Sequence, residues 1–362
     1  MALPGFIIFT GILLLLVSTI YQRNALTAVG YSRYFSTKAA YEGDNLEMVE
    51  EISNAKLLPL PWLRLESSIA RGLEFGSQDN LGIHAGDIYQ NHISLFYLRS
   101  YRHIKRRHVV TCERRGFYRL ESVTMTTGDM FGLSRSVQTF QLQLELMVYP
   151  KLLDFSDLPL PIHSWLGELA VKRWIVEDPF LTAGIREYSS GDSLGLVNWK
   201  ATARTGIMQV HKKDYTADSR LVICLNVEIS DSMWRTVTDL QRIELGIRYA
   251  ATIGEYAIQQ GLEIRFICNG KLEDHEAREP VSSGLISGLE ELLELLSKLT
   301  LDRTLPMNRL LELQAEEGNR DSDFLIISCH RGTEIQFAAE QLMLQGNGVE
   351  WLDIPEQGGD TA

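Results

Sequence analysis

The residue types with the most chemical capacity in this chain stand close together in REYSSGDSLGLVNWKATARTG, residues 186–206. Arg186, Tyr188, Asp192, Trp199, Lys200 and Arg204 surround a Gly-Asp turn. If NWKATAR is helical, Lys200 and Arg204 lie four apart on one face, flanked by Asn198 and Trp199. Arg186 and Arg204 could both reach Asp192. Two arrangements use these residue types. One is an internal ion-pair lattice with Trp199 as its apolar lid. The other is an exposed surface for a partner, where Trp and Arg are typical anchors. Catalysis finds little support, since no His, Cys or Ser in the stretch has an evident base partner to activate it.

A second set is VEISDSM, residues 227–233. Glu228, Ser230 and Ser232 put one carboxylate and two hydroxyls at alternate positions of a turn, a set of hard oxygen donors suited to Mg²⁺. The competing reading is a capping turn, with Asp231 or Ser232 starting the next helix. A third is the basic run YRHIKRRHVVTCERRGFYR, residues 101–119. It suits nucleic acid or an anionic lipid surface, or two strands with solvated basic positions on an outer face. No phosphate-cradling glycine loop, HExxH or GxSxG is present.

The elements around these residues follow from periodicity. Residues 24–150 hold short alternating runs separated by turn signals, which predicts a β-sandwich. Residues 151–217 read as a junction carrying the 186–206 stretch. From 218 to 356, continuous apolar runs such as LVICLNVE alternate with amphipathic segments such as DLQRIELGIRYAATIGEYAIQQG. That pattern predicts an α/β domain with a mostly parallel sheet and helices on both faces. Residues 357–362 form a polar tail. Cys224, Cys268 and Cys329 fall in apolar runs without disulfide or zinc spacing, as buried thiols in a reducing compartment would.

The first charged side chain is Arg23. Residues 1–23 therefore read as a transmembrane anchor, retained rather than cleaved, because no basic n-region or small-x-small site accompanies the apolar run. Arg23, Arg33 and Lys38 follow it, so the positive-inside rule predicts a single-pass protein of the cell membrane with its soluble domains in the cytoplasm. The net charge of -12 argues against general nucleic-acid binding.

GIREYSSGDSLGLVNWKATARTG resembles the signature of a bacterial family known as domain of unknown function 58: Gly-x-Arg-x-Tyr, then Gly-Asp, then a Trp-Lys-x-Ser/Thr-Ala-Arg run. The upstream RGFYRLESVTMTTGDMFGL and MVYP are similar to the same family's preceding β domain. In this chain Gly195 and Leu196 stand where the family often has Arg, and Met130 replaces a Pro. VEISDSM in turn resembles the Asp-x-Ser-x-Ser metal motif of von Willebrand factor A domains. Glu228 takes the place of the Asp, while Cys329 and His330 stand where a later Asp is expected. The resemblance implies an α+β multidomain chain: an anchor, an immunoglobulin-like sandwich and a von Willebrand A-like α/β domain. It also implies a non-enzymatic adaptor without a required cofactor, docking a MoxR-type AAA+ ATPase or its client, since members are commonly encoded beside such ATPases. A metal-dependent enzyme and a nucleic-acid or anionic-lipid binder are the alternatives.

Overall fold

The computed structural model describes residues 2–76, 81–85, 89–175, 177–189, 193–215, 220–230, 239–273 and 279–356. The chain forms two compact units, Met1–Lys151 and Leu152–Ala362. The boundary falls one residue beyond the expected end of the sandwich, after Pro150. The segment read as a junction clusters with the second unit.

The first unit opens with helix α1 (Ala2–Asn24), whose stretch Gly5–Asn24 is long and apolar enough to cross a membrane. Phe6, Ile7, Phe9, Ile12 and Leu16 are all exposed on it, as expected of a helix whose apolar side chains meet lipid rather than a core. Its last turns differ: Tyr21 and the following Ala25 are buried in the core of the β domain.

The described residues of that domain form ten strands: β1 (Val29–Phe35), β2 (Ala39–Tyr41), β3 (Asn45–Asn54), β4 (Leu60–Ala70), β5 (Leu73–Phe75), β6 (Leu81–Ala85), β7 (Tyr89–Leu98), β8 (Arg102–Cys112), β9 (Gly116–Gly128) and β10 (Arg135–Tyr149). They form a four-stranded sheet, β1-β3-β8-β5, and a six-stranded sheet, β2-β10-β9-β4-β7-β6. Alternating side chains from both sheets meet in one core. Met48, Ile52 and Val110 come from the first, and Leu63, Leu65, Met125 and Leu146 from the second.

This core encloses a polar cluster. Arg33 Nη2 donates to Glu50 Oε1 at 2.7 Å and Nη1 to Ser67 Oγ at 2.9 Å. The Tyr31 hydroxyl donates to the same Glu50 oxygen at 2.7 Å. His108 Nε2 lies 3.6 Å from Glu50 Oε2, and His92 is buried with its ring edge-on to Phe75 at 4.2 Å. Arg33, one of the cations counted in the sequence as flanking the apolar segment, thus serves the interior of the β domain.

The second unit comprises α2 (Leu160–Ile175), β11 (Glu177–Glu187), α3 (Trp199–Thr205), β12 (Gln209–Tyr215), β13 (Arg220–Leu225), α4 (Leu240–Gln259), β14 (Glu263–Cys268), β15 (Lys271–Leu272), β16 (Val281–Ser282), α5 (Leu289–Lys298), β17 (Leu299–Thr300), α6 (Met307–Glu316), β18 (Ser322–Ser328), α7 (Thr333–Leu344) and β19 (Gly348–Asp353). Its main sheet runs β16-β14-β13-β18-β19, parallel except for the edge strand β16. The central strands β13 and β18 are buried along almost their whole length, which explains their unbroken apolar sequences.

Val222, Cys224, Phe324 and Ile326 meet α6 and α7 on one face of the sheet. Helix α4 covers the other: a side chain at Gly246 would collide with Ile354 and Leu225, and one at Gly254 with Leu292. Gly261, at φ +73°, ends α4 in the left-handed conformation. The start of the second unit docks on this helix, through Leu153 N donating to Thr252 Oγ1 at 3.0 Å and Phe155 stacking on Tyr256 at 4.3 Å. Cys112, Cys224 and Cys268 are buried free thiols, and Cys329 is partly buried.

Candidate functional site

Residues 184–210 fold as a strand–helix–strand module. β11 and β12 pair antiparallel, with Arg186 opposite Val210 and Glu187 opposite Gln209. Tyr188 N extends the pairing by donating to Met208 O at 2.9 Å. Asn198 caps α3: its side chain accepts from Ala201 N at 2.9 Å, while its own N–H donates to Gln209 O at 2.8 Å. Thr202 Oγ1 donates to Asn198 O and accepts from Gln209 N, both at 2.9 Å. Gly206, at φ +73°, closes the helix. Main-chain groups and the short side chains of Asn198 and Thr202 thus stitch α3 to β12. Asn198→Ala is expected to destabilise α3 by about 1 kcal/mol, read as faster amide exchange at Ala201 and Thr202 with the main sheet unchanged.

The long side chains of α3 lie exposed. Trp199 is 67% exposed at the first position of α3, and Lys200 and Arg204 are exposed one turn apart. Arg186 is exposed and donates through Nη1 to Glu187 O at 3.1 Å. Tyr188 is half-buried, and Ile185 and Ile207 are exposed apolar neighbours in the module. Trp199 is therefore not an apolar lid. Asp192, the expected centre of an ion-pair lattice, lies outside the described residues.

The second candidate lies at the carboxyl ends of the central strands, where the strand order reverses direction around β13 and β18 and open α/β sheets commonly bind ligands. Asn226, Asn269 and Ser328 follow the apolar runs of β13, β14 and β18 at matching register, and all three are fully buried. Asn226 Nδ2 donates to Ser328 Oγ at 2.9 Å, and Asn269 Nδ2 donates to Asn226 Oδ1 at 3.0 Å. Val227 N and Glu228 N donate to Asn269 Oδ1 and Asn226 Oδ1, at 2.9 and 3.0 Å.

Just beyond, buried Glu228 accepts from Arg303 Nη1 at 2.8 Å and Met307 N at 3.4 Å through one oxygen, Oε1. Burial raises the Glu228 pKa, and the Arg303 charge and hydrogen bond only partly oppose that rise. Ser230 is partly buried nearby in sequence, and Ser232 lies outside the described residues. This set does not suit a divalent cation. The one carboxylate is engaged by a fixed guanidinium, which repels a second cation. Among the described residues no group of three His, Cys, Asp or Glu could hold a metal.

The basic run divides between β8 and β9, in different sheets. β8 lies against the glutamates of β3: Lys105 pairs with Glu51 at 2.8 Å and Arg107 with Glu47 at 3.6 Å. On β9, Arg119 pairs with Glu145 at 3.5 Å. Much of its charge is balanced across the strands.

Asn226, Asn269, Ser328 and Arg303 escape the reading of the sequence by motif. The available signal was a polar residue directly closing three separate apolar strands. Glu228 and Arg303 are 75 residues apart, so nothing local links them.

Residues 184–328 match a family model described as "Protein of unknown function DUF58". The match includes the strand–helix–strand module and supports the resemblance carried by its motif. Among curated proteins, the chain is 22% identical over 233 residues to the "Uncharacterized protein YeaD" of Bacillus subtilis (strain 168). That alignment covers 64% of this chain and 54% of the relative, so the chain spans about half the relative's length. Similar solved structures include a PapD-like domain of human CEP192, at 15% identity, 34% coverage of this chain, 85% of that one and TM-score 0.21. A cohesin module from a Clostridium perfringens glycoside hydrolase gives 8% identity, 33% and 97% coverage, and TM-score 0.22. Likeness at this level carries no functional argument.

Proposed function

We propose that this chain is a membrane-anchored adaptor that docks a protein partner through the 186–204 surface. The observation that carries the reading is the division of labour in the module. Asn198, Thr202 and the main chain contribute to holding it together, and Trp199, Lys200 and Arg204 stand exposed on α3, where a partner could meet them. Exposed Trp and Arg make strong anchors because each supplies a large contact area together with directional hydrogen bonds.

The partner we favour is a MoxR-type AAA+ ATPase or its client, as the family resemblance implies, reached from the cytoplasmic side, as the flanking positive charge suggests. We further read the second unit as von Willebrand A-like. The parallel strands with helices on both faces, and Glu228 following the first of them, support that reading. Such domains commonly serve as binding modules.

The test is a crosslinking pull-down of the detergent-solubilised full chain, with and without ATP, beside a variant carrying Arg186→Ala, Trp199→Ala and Arg204→Ala. Recovery of an AAA+ ATPase by the parent and its loss from the folded variant is the expected result. A hot-spot Trp alone is worth about 2 kcal/mol or more, roughly thirtyfold in affinity. Equal recovery by both proteins would remove the docking role of this surface. Failure to recover any ATPase with the parent would remove that partner.

A further inference from the structure

The end of the sandwich nearest α1 carries a second feature that the docking reading does not use. Four segments meet there: the exit of the helix and the loops β3–β4, β7–β8 and β9–β10. Ala55 N donates to Ala28 O at 2.9 Å, and Lys56 Nζ to Thr27 O at 2.7 Å. Tyr101 N donates to Lys56 O at 3.2 Å. Ser136 Oγ donates to Gln22 O at 3.0 Å, which ties the start of β10 to the last turns of the helix.

These loops hold large apolar and aromatic side chains in solvent. Met130 is 76%, Phe131 62% and Leu133 59% exposed, and Leu57, Tyr97 and Tyr101 are exposed as well. The β9–β10 loop is a fixed structure. Buried Asp129 accepts from Phe131 N at 2.8 Å, Leu133 N at 3.0 Å and Ser134 Oγ at 2.7 Å. Trp62 Nε1 donates to Asp129 O at 3.3 Å. A protein that rigidly presents Met, Phe and Leu beside an apolar helix incurs a solvation cost unless something apolar covers them.

Charge and depth identify the cover. Residues 20–29, 55–62, 97–102 and 129–136 contain Arg23, Lys56, Arg99, Arg102 and Arg135, and their one carboxylate is the buried Asp129. This concentration stands in a chain of net charge -12. Ser136 is held at Gln22 and Tyr21 packs into the sandwich core, so this end of the sandwich meets the helix at the level of its first cation, Arg23. That is the depth of the headgroup–acyl boundary, where aromatic side chains and cations gather.

We propose that this end of the sandwich is a second membrane contact, with Met130, Phe131 and Leu133 inserted at the headgroup–acyl boundary of an anionic bilayer and the surrounding cations on its phosphates. The proposal rests on the reading of α1 as a membrane anchor. The test uses the full chain with Cys329→Ser, reconstituted into phosphatidylcholine vesicles with or without phosphatidylglycerol. Spin labels are placed singly at Phe131→Cys, at Ile12→Cys within the helix, and at Glu113→Cys in the exposed β8–β9 turn at the opposite end.

In anionic vesicles the labels at 12 and 131 are expected to collide with oxygen and be shielded from an aqueous nickel complex, while the label at 113 shows the reverse. Without phosphatidylglycerol, shielding at 131 is expected to fall while that at 12 is kept. A shielded label at 12 with an aqueous one at 131 would overturn the membrane contact and leave the anchor intact. An aqueous label at 12 would overturn the anchor, and with it this seating. Shielding at 131 that ignores lipid charge would overturn the anionic preference.

Discussion

Replacing Arg33 with Met is expected to destabilise the sandwich by about 3–5 kcal/mol, the range found when one partner of a buried ion pair is removed. Arg33 and Glu50 are both buried, joined at 2.7 Å, with Tyr31 donating to the same carboxylate oxygen. Burial alone would raise the Glu50 pKa. His108 beside it and the Arg33 guanidinium outweigh burial and hold it at about 2. Glu50 is therefore charged at neutral pH, and without Arg33 that charge would stay in a low-dielectric interior or take up a proton. Pairing Arg33→Met with Glu50→Leu is expected to recover most of the loss, because two apolar groups can replace a buried ion pair at little cost. Amide exchange at Tyr31, Ile52 and Val110 measures both variants. A loss below about 1 kcal/mol for the single change would show that Glu50 is already neutral.

The sandwich is also expected to lose stability in mild acid through His92. Burial, followed by the Arg33 guanidinium and the neighbouring His108, lowers its pKa from 6.5 to about 4. Between those values the unfolded chain binds a proton that the folded chain refuses, so stability falls as pH falls. Linkage gives a loss of about 2 kcal/mol by about pH 5 and about 3 kcal/mol by about pH 4. Glu50 adds a loss of the same sign, but in a lower window, between its ordinary 4.5 and about 2. The stretch from neutrality to about pH 5 thus isolates His92. In His92→Phe, melting curves of the sandwich should lose this slope. A slope equal to the parent's would assign the acid sensitivity to another group.

The alternation of strand and helix in residues 218–356 is legible because the middles of β13 and β18, Leu221–Leu225 and Phe324–Ile327, are buried on both faces and so run apolar. The same logic made the β domain legible, through period-two alternation in β7 and β10. What sequence could not supply was the partner of each charge. Glu228 offers a donor set on paper, but Arg303 reaches it only through the sheet's topology. The basic run looks like a patch until antiparallel register sets Lys105 against Glu51. Trp199 was equally open: an apolar ring at the start of a short helix suits either a lid or a surface. Its exposure follows from the small residues Asn198 and Thr202 completing the module without it.

Between the end of α1 at Asn24 and the start of β1 at Val29 there is no free chain. Ala25 is buried, and Thr27 and Ala28 accept hydrogen bonds from the next loop. A flexible tether lets a domain sweep a radius that grows as the square root of its length, and this domain has almost none to sweep. It should move with its helix as one body. With that helix as the proposed anchor, the domain would diffuse in the plane of the bilayer without lifting from it, and anything that binds it would search in two dimensions rather than three.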